Sequence, residues 1–183
     1  MFTKKNDLII DKIDFVWKVI SRYDTYISTT NYKATIILTL NIFLISGITF
    51  KSTEILIIFN NLPTCRLAIV IILLLIGISV IYSICRAILA IEPNLGKNNN
   101  QNKTILFFDH VKSLGSEKYL EKLNNMKPND FLSDLCEDGW NLANILSEKL
   151  RNLSHSVWVF KYIQITLLII LILLIGYVMI FEK

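Results

Sequence analysis

Charge is scarce in this sequence, and so are the residues that break helices or cross-link chains. Its 183 residues include 3 cysteines, 3 prolines and 6 glycines, and 53% are hydrophobic against 19% that are charged. So low a charged fraction excludes an ordinary soluble domain. The formal net charge of +4 is a small excess of 19 basic over 15 acidic residues, which gives no sign of a nucleic-acid surface. The composition indicates an integral membrane protein without a nucleic-acid partner.

Three apolar runs are long enough to cross a bilayer, which takes about 20 largely apolar residues. We predict transmembrane helices over 34–50, 67–91 and 161–181. A cytoplasmic amphipathic helix is predicted over 1–33, an external loop over 51–66, and a cytoplasmic linker with a helical domain over 92–160. The predicted fold class is therefore an all-α integral membrane protein. Its small helical cytoplasmic domain would combine the N-terminal helix with the segment between spans two and three.

The positions of lysine and arginine predict the orientation of the spans. Residues 1–33 contain six of them and residues 86–161 contain ten, whereas 51–66 contain two and the tail after the third span contains one. Because basic residues stay in the cytoplasm, we expect a cytoplasmic N-terminus and an external C-terminus. Cys65, Cys85 and Cys136 then occupy three compartments, which excludes a disulfide within the chain and a paired-cysteine metal motif.

The scarcity of helix breakers predicts two long helices. No glycine or proline precedes Gly47, so residues 7–50 are expected to form one near-continuous helix. Its cytoplasmic part has an apolar face made by Ile9, Ile13, Val16, Ile20, Tyr23 and Ile27. A second helix is expected to start at Pro128 and run into the third span, with an apolar stripe made by Leu135, Leu142, Leu146, Leu150, Leu153 and Val157.

Between these helices the sequence predicts smaller elements. Residues 97–103 (KNNNQNK) are too polar to bury and are expected to form a flexible linker. A short apolar element over 105–111 follows, strand-like at 105–108, then a turn at Gly115 and a short helix over 117–125.

Catalytic and cofactor motifs are lacking. The sequence contains no P-loop, dinucleotide-binding glycine pattern, nucleophile elbow or zinc-protease helix. Its two histidines, His110 and His155, are far apart, and the neighbouring Asp109 and His110 are too few for a metal site. We therefore expect no enzymatic activity, no catalytic residue, no metal and no cofactor.

Polar residues inside the spans are the most informative feature. Asn31, Thr35, Thr39 and Ser46 fall on one face of the first helix, and Ser79 and Ser83 form a stripe in the second span. These stripes either pack against other helices of the chain or line a pore or a seam between protomers of a homo-oligomer. Asn41 lies on another flank of its helix and requires its own partner, because an unpaired amide in the membrane is costly.

Two basic residues lie at the predicted cytoplasmic edge of the membrane. Lys33 and Arg86 are expected either to reach lipid headgroups or, together with Asn31, to contact a phosphate-bearing ligand.

The stretch N-Y-K-A-T-I-I-L at 31–38 resembles the (D/N)-x-K-A-x-x-(I/L)-L motif of Pycsar-type transmembrane effectors. The family motif often has aspartate where this chain has Asn31. F-F-D-H-V at 107–111 and N-L-A-N-I-L-S-E-K at 141–149 are also similar to the family in layout, so the resemblance covers most of the chain.

This resemblance implies a membrane effector of bacterial antiphage defence. Such an effector would sense a cyclic pyrimidine mononucleotide (cyclic CMP or cyclic UMP) and impair the inner membrane, so that the infected cell stops growing or dies. Two other functions fit the residues: a small oligomeric channel or transporter subunit without a nucleotide trigger, and a membrane-anchored assembly protein.

Overall fold

The structure, a computed structural model, describes residues 2–59, 63–92 and 108–181. Almost all of these residues are helical, and no strand occurs among them. Phe108, the last residue of the run predicted as strand-like, is the first residue of a helix. The elements are α1 (Phe2–Ile58), α2 (Pro63–Ile91), α3 (Phe108–Asn125), α4 (Pro128–Trp158), a π-helical segment (Val159–Gln164) and α5 (Ile165–Phe181). The predicted linker over 97–103 and residues 105–107 of the predicted apolar element lie outside the described residues.

Within the described part of the chain, three helical stretches are long and apolar enough to cross a membrane: Leu8–Ile58, Pro63–Ile91 and Pro128–Ile180. The last of these joins α4, the π segment and α5 without a break. Both long helices and all three predicted spans are therefore confirmed as continuous apolar helices. Helix α2 starts at Pro63, four residues before the predicted start of the second span, and proline suits a first helical position. It ends at Ile91, just before Pro93.

The region predicted as an external loop, 51–66, is mostly helical. Helix α1 continues through Ile58 and α2 starts at Pro63, so helix occupies 51–58 and 63–66. Nothing in the sequence interrupts α1 between Gly47 and Pro63, and Lys51 pairs with Glu54 one turn later at 2.8 Å. The side of the membrane on which this region lies stays a prediction.

The described residues form two compact units, with a boundary inside α1 and another inside α4. The first unit contains residues 2–29 and 108–148. Its α1 segment is buried along the predicted apolar face: Ile9 and Ile20 are buried, and Ile13, Val16, Tyr23 and Ile27 are half-buried. On α4 the buried members of this unit are Leu135 and Leu146. Apolar spacing of three and four residues is thus sufficient to identify this core.

Two glycines of the first unit have opposite roles. Gly115 has a φ of 74° and lies at a kink in α3, at the position of the predicted turn. The residues on either side of it are helical. Gly139 is helical, and a Cβ added there would meet Ile20 Cγ1 at 3.6 Å, an ordinary contact distance.

These geometries predict substitutions of opposite sign. Gly139→Ala should raise the free energy of unfolding by about 0.5–1 kcal/mol because alanine favours helix. Gly115→Ala should lower it by roughly 1–2 kcal/mol because a side chain is strained at positive φ. Thermal unfolding of the two variants in detergent tests this pair, and shifts of the same sign would contradict the kink at Gly115.

The second unit contains the described residues between 30 and 92 together with 149–181. Its apolar core joins α2 to α5 and includes Phe59, Ile69, Ile76, Val80, Leu171 and Val178. A smaller cluster of Ala34, Ala90 and Leu153 brings α1, α2 and α4 together, since small side chains allow helices to approach closely in membranes.

The predicted apolar stripe of α4 is wrong at two positions. Leu150 and Val157 are 48% and 37% exposed, whereas their neighbours Lys149 and Ser156 are 4% and 0% exposed. The polar side chains face inward because the second unit supplies them with hydrogen-bond partners. Those partners form the candidate site.

Candidate functional site

An amide at the centre of the second unit links its helices. The Asn41 side chain is fully buried; its Nδ2 donates to Ile37 O at 2.8 Å and to Ser83 Oγ at 3.1 Å. Gln164 Nε2, at the end of the π segment, donates to Asn41 Oδ1 at 2.9 Å. Asn41 therefore bonds to α2 and to the π segment at once, which provides the partners that its position in the first span requires.

Two serines extend this network to α4. Ser83 Oγ lies 3.0 Å from Ser156 Oγ, and the Ser156 hydroxyl also has Ser83 O within 2.9 Å as an acceptor. Both serines are fully buried. We call Asn41, Ser83, Ser156 and Gln164 the inner polar network. Its polar atoms are all bonded except Gln164 Oε1, a buried oxygen without a hydrogen-bond partner among the described residues.

Lys149 forms a second polar contact at the end of α2. Its ammonium donates to Ala90 O, Ile91 O and Glu92 O at 2.7, 3.2 and 2.9 Å, and to Asn31 Oδ1 at 3.1 Å. The last carbonyls of a helix have no partner within the helix and carry partial negative charge, which a cation satisfies. Helix α2 has no basic residue in its own last turn, so α4 supplies one.

The two basic residues singled out from the sequence differ in their surroundings. Arg86 is half-buried: its Nη1 donates to Asn152 Oδ1 at 3.2 Å and its Nε to the Tyr82 hydroxyl at 3.2 Å. Its guanidinium also lies 5.3 Å from the centre of the Tyr82 ring. Lys33 is exposed. Arg86 thus contributes to helix packing, while the Lys33 ammonium faces the surroundings of the second unit.

The two polar stripes face different environments. In α2, Ser79 and Ser83 are buried, and Ser79 Oγ donates to Ile76 O at 2.8 Å. In α1, Thr35, Thr39 and Ser46 are exposed, and each hydroxyl donates to the carbonyl four residues earlier at 2.8–3.0 Å. The α2 stripe packs inside the unit, whereas the α1 stripe leaves hydroxyl oxygens available as acceptors on its outer face.

Lys149, Ser156 and Gln164 were not identified from the sequence. The signal lay in their spacing, because Lys149 and Ser156 follow Leu135 and Leu142 at steps of seven residues. A pattern based on hydropathy assigns such polar residues to the solvent face. Gln164 lacked even this signal, because it lies eight residues after Ser156.

The arrangement is suited to holding helices together. Its groups are amides, hydroxyls and one ammonium that is fully engaged. Among the described residues no group of three His, Cys, Asp or Glu side chains could hold a metal ion. Hydrogen bonds in such a network are directional and strengthen one another. A network of this kind therefore favours one discrete packing of the helices over another.

Comparison with known protein families matches residues 15–176 to the Pycsar effector protein domain. The match begins within α1 and ends within α5, and it includes every residue of the polar contacts described above. No curated protein and no solved structure matches the chain.

Proposed function

The chain belongs to the Pycsar effector family, and we propose on that premise that it senses a cyclic pyrimidine mononucleotide and impairs the membrane of the infected cell. Membership makes it an effector of cyclic-nucleotide antiphage defence, and its three apolar helices make it a membrane protein. The nucleotide, cyclic CMP or cyclic UMP, would be a ligand and not a substrate. No catalytic group or cofactor enters the proposal.

The observation that supports membrane impairment is the inner polar network, which lies inside a unit whose exposed residues are mostly apolar. A bundle with a wholly apolar interior offers nothing to water when its helices move apart. Here the separated helices would expose the amides and hydroxyls of the inner polar network. Unpaired polar groups in hydrocarbon favour the entry of water, or hydrogen bonding of the exposed groups to a second copy of the chain.

A nucleotide can drive this change only if it binds one packing of the helices better than the other. Helices α1 and α4 each contribute residues to both units, so a ligand that alters their packing acts on elements that carry the polar contacts. Among the candidate ligand contacts Asn31, Lys33 and Arg86, the exposed Lys33 is the cation most available to a phosphate.

The proposal includes an N-terminus in the cytoplasm, an external C-terminus and a homo-oligomer in the bacterial inner membrane. The exposed α1 stripe of Thr35, Thr39 and Ser46 supports the oligomer, because hydroxyl oxygens in the membrane are acceptors for a neighbouring protomer. The alternative of a channel without a trigger uses the same stripe. Constitutive ion flux would favour that alternative.

Cells that express the chain together with a cytidylate or uridylate cyclase provide the test. We expect growth arrest with loss of membrane potential when the cyclase is active. A catalytically inactive cyclase should leave growth normal, and so should an active adenylate cyclase. Growth arrest that does not depend on the nucleotide would contradict the proposal and favour a channel without a trigger. Normal growth under all conditions would favour a membrane-anchored assembly protein.

The contact between Asn31 and Lys149 predicts the effect of the aspartate that is common in the family motif. Asn31→Asp places a carboxylate 3.1 Å from the ammonium, and a charge-assisted hydrogen bond is about twice as strong as a neutral one. After the cost of desolvation we expect the free energy of unfolding to rise by about 1 kcal/mol. Detergent unfolding measures this gain.

The same substitution in a Lys149→Met background is the control. There the carboxylate lacks its cation, so the gain should change into a loss. An equal gain in both backgrounds would show that Asn31 acts through some other group.

A further inference from the structure

One row of buried positions on the last long helix within the second unit changes its spacing once; Leu153 and Val159 are buried beside this row. Lys149 and Ser156 are seven residues apart, and so are Gln164, Leu171 and Val178, yet Ser156 and Gln164 are eight apart. A step of seven residues keeps an α-helix facing its neighbour, because each residue turns the helix by about 100°. One extra residue therefore lies between the two halves of the buried face.

The π segment Val159–Gln164 absorbs this extra residue. The Ile165 N–H bonds to Phe160 O, five residues back, where an α-helix would use the carbonyl four residues back. On one side of the segment Ser156 bonds to Ser83 of α2. On the other side Leu171 and Val178 pack with Ile69, Ile76 and Val80, also of α2. The π segment therefore lies between two separate contacts with α2. Its extra residue allows both contacts to form on the same helix.

A regular α-helix through the same residues would present another face after the π segment. It would bring Ile163, Ile170 and Tyr177 inward in place of Gln164, Leu171 and Val178. Two of these three residues are isoleucines, so this second face is also apolar enough to pack. The observed face has a defect of its own, since Gln164 Oε1 is buried without a partner among the described residues.

We propose that the π segment is a register switch: α5 exchanges between the observed register, in which Gln164 bonds to Asn41, and an α-helical register in which Ile163 takes that place. In the second register α5 is rotated by about 100° and the Gln164 amide leaves the inner polar network. The exchange frees Asn41 and loosens the contact of α1 with the last helix. This inference rests on the proposed function for the ligand that shifts the equilibrium.

Paired cysteines report the register. In a background with Cys65, Cys85 and Cys136 changed to serine, one variant carries Asn41→Cys with Gln164→Cys and a second carries Asn41→Cys with Ile163→Cys. The pair Ser83→Cys with Ser156→Cys lies before the π segment and is the control. The proteins are reconstituted in dye-loaded vesicles and oxidised with or without cyclic CMP or cyclic UMP.

We expect cross-linking of the 41–164 pair without nucleotide and of the 41–163 pair with the nucleotide that releases dye, while the control pair cross-links throughout. Dye release with an unchanged 41–164 cross-link would overturn the switch and leave the proposed function intact. If no nucleotide releases dye, the proposed function fails. The switch is then tested separately by adding Ser83→Ala, which removes a hydroxyl of the inner polar network, to both 41-cysteine pairs. In that variant a 41–163 cross-link without nucleotide supports two registers, and its absence overturns them.

Deletion of Phe160 provides a second test. Removing one residue from the π segment lets a regular α-helix keep both halves of the buried face inward, so the 41–164 cross-link should persist in all conditions and dye release should be lost. Phe160→Ala removes the same side chain but keeps the extra residue, and it should retain the nucleotide response. Equal responses from the deletion and the substitution would contradict the switch.

Discussion

Lys149→Met is expected to lower the free energy of unfolding by about 3 kcal/mol, which is a large effect for a single substitution. The ammonium has three hydrogens and four oxygen partners; three of these are the carbonyls of the last two residues of α2 and of Glu92, which follows them. Methionine fills a similar volume but donates nothing. Because a buried acceptor that loses its donor costs about 1–3 kcal/mol, the carbonyls left without a partner dominate the loss.

Unfolding in a denaturing detergent titration measures this effect, and Lys161→Met is the matched control. Lys161 lies on the same continuous helix but is exposed, with its ammonium 5.1 Å from the Tyr162 ring. Its replacement should change stability by less than about 1 kcal/mol. Equal losses for the two variants would show that Lys149 contributes only charge and not the capping of α2.

Asn41→Leu is expected to have the second largest effect, a loss of about 2 kcal/mol. The Asn41 amide makes three hydrogen bonds. Among the described residues, the bond to Asn41 is the one hydrogen bond of the Gln164 side chain. Leucine would leave the Gln164 amide buried among apolar groups with no acceptor from α1. Thr39→Val is the control, since the Thr39 hydroxyl is exposed and bonds to its own helix at 3.0 Å.

A double-mutant cycle with Asn41→Ala and Gln164→Ala isolates the bond between them. Interhelical hydrogen bonds in membranes are worth about 0.6 kcal/mol on average and up to about 1.7, and a fully buried amide pair should lie at the upper end. Additive losses would show that the two amides do not interact, and would also remove the basis of the register switch.

The sequence was sufficient for the apolar architecture because hydrophobic spacing is a local property. The face containing Ile9 and Ile20, the start of α4 at Pro128 and the continuity of both long helices all follow from spacing and from the positions of glycine and proline. The sequence did not predict that α1 extends through Ile58, because a span boundary and a helix end leave the same mark in the sequence.

The polar contacts could be predicted only in part. The requirement of Asn41 for a partner follows from its place in an apolar span, but the partners lie 42 and 123 residues away along the chain. Lys149 and Ser156 were not predicted to be buried, because the pattern that identified the face of α4 used apolar residues alone. The π segment has no sequence signal of its own, since it results from fitting two contacts with α2 onto one helix.

Dye release from vesicles tests the central claim, a membrane effector triggered by a cyclic pyrimidine mononucleotide, most directly. The purified chain is reconstituted in vesicles that contain a self-quenched dye, and cyclic CMP, cyclic UMP, cyclic AMP or linear CMP is added. We predict release with cyclic CMP or cyclic UMP alone, and little release before addition. Release of the same extent without nucleotide, or no release with any of the four, would contradict the claim.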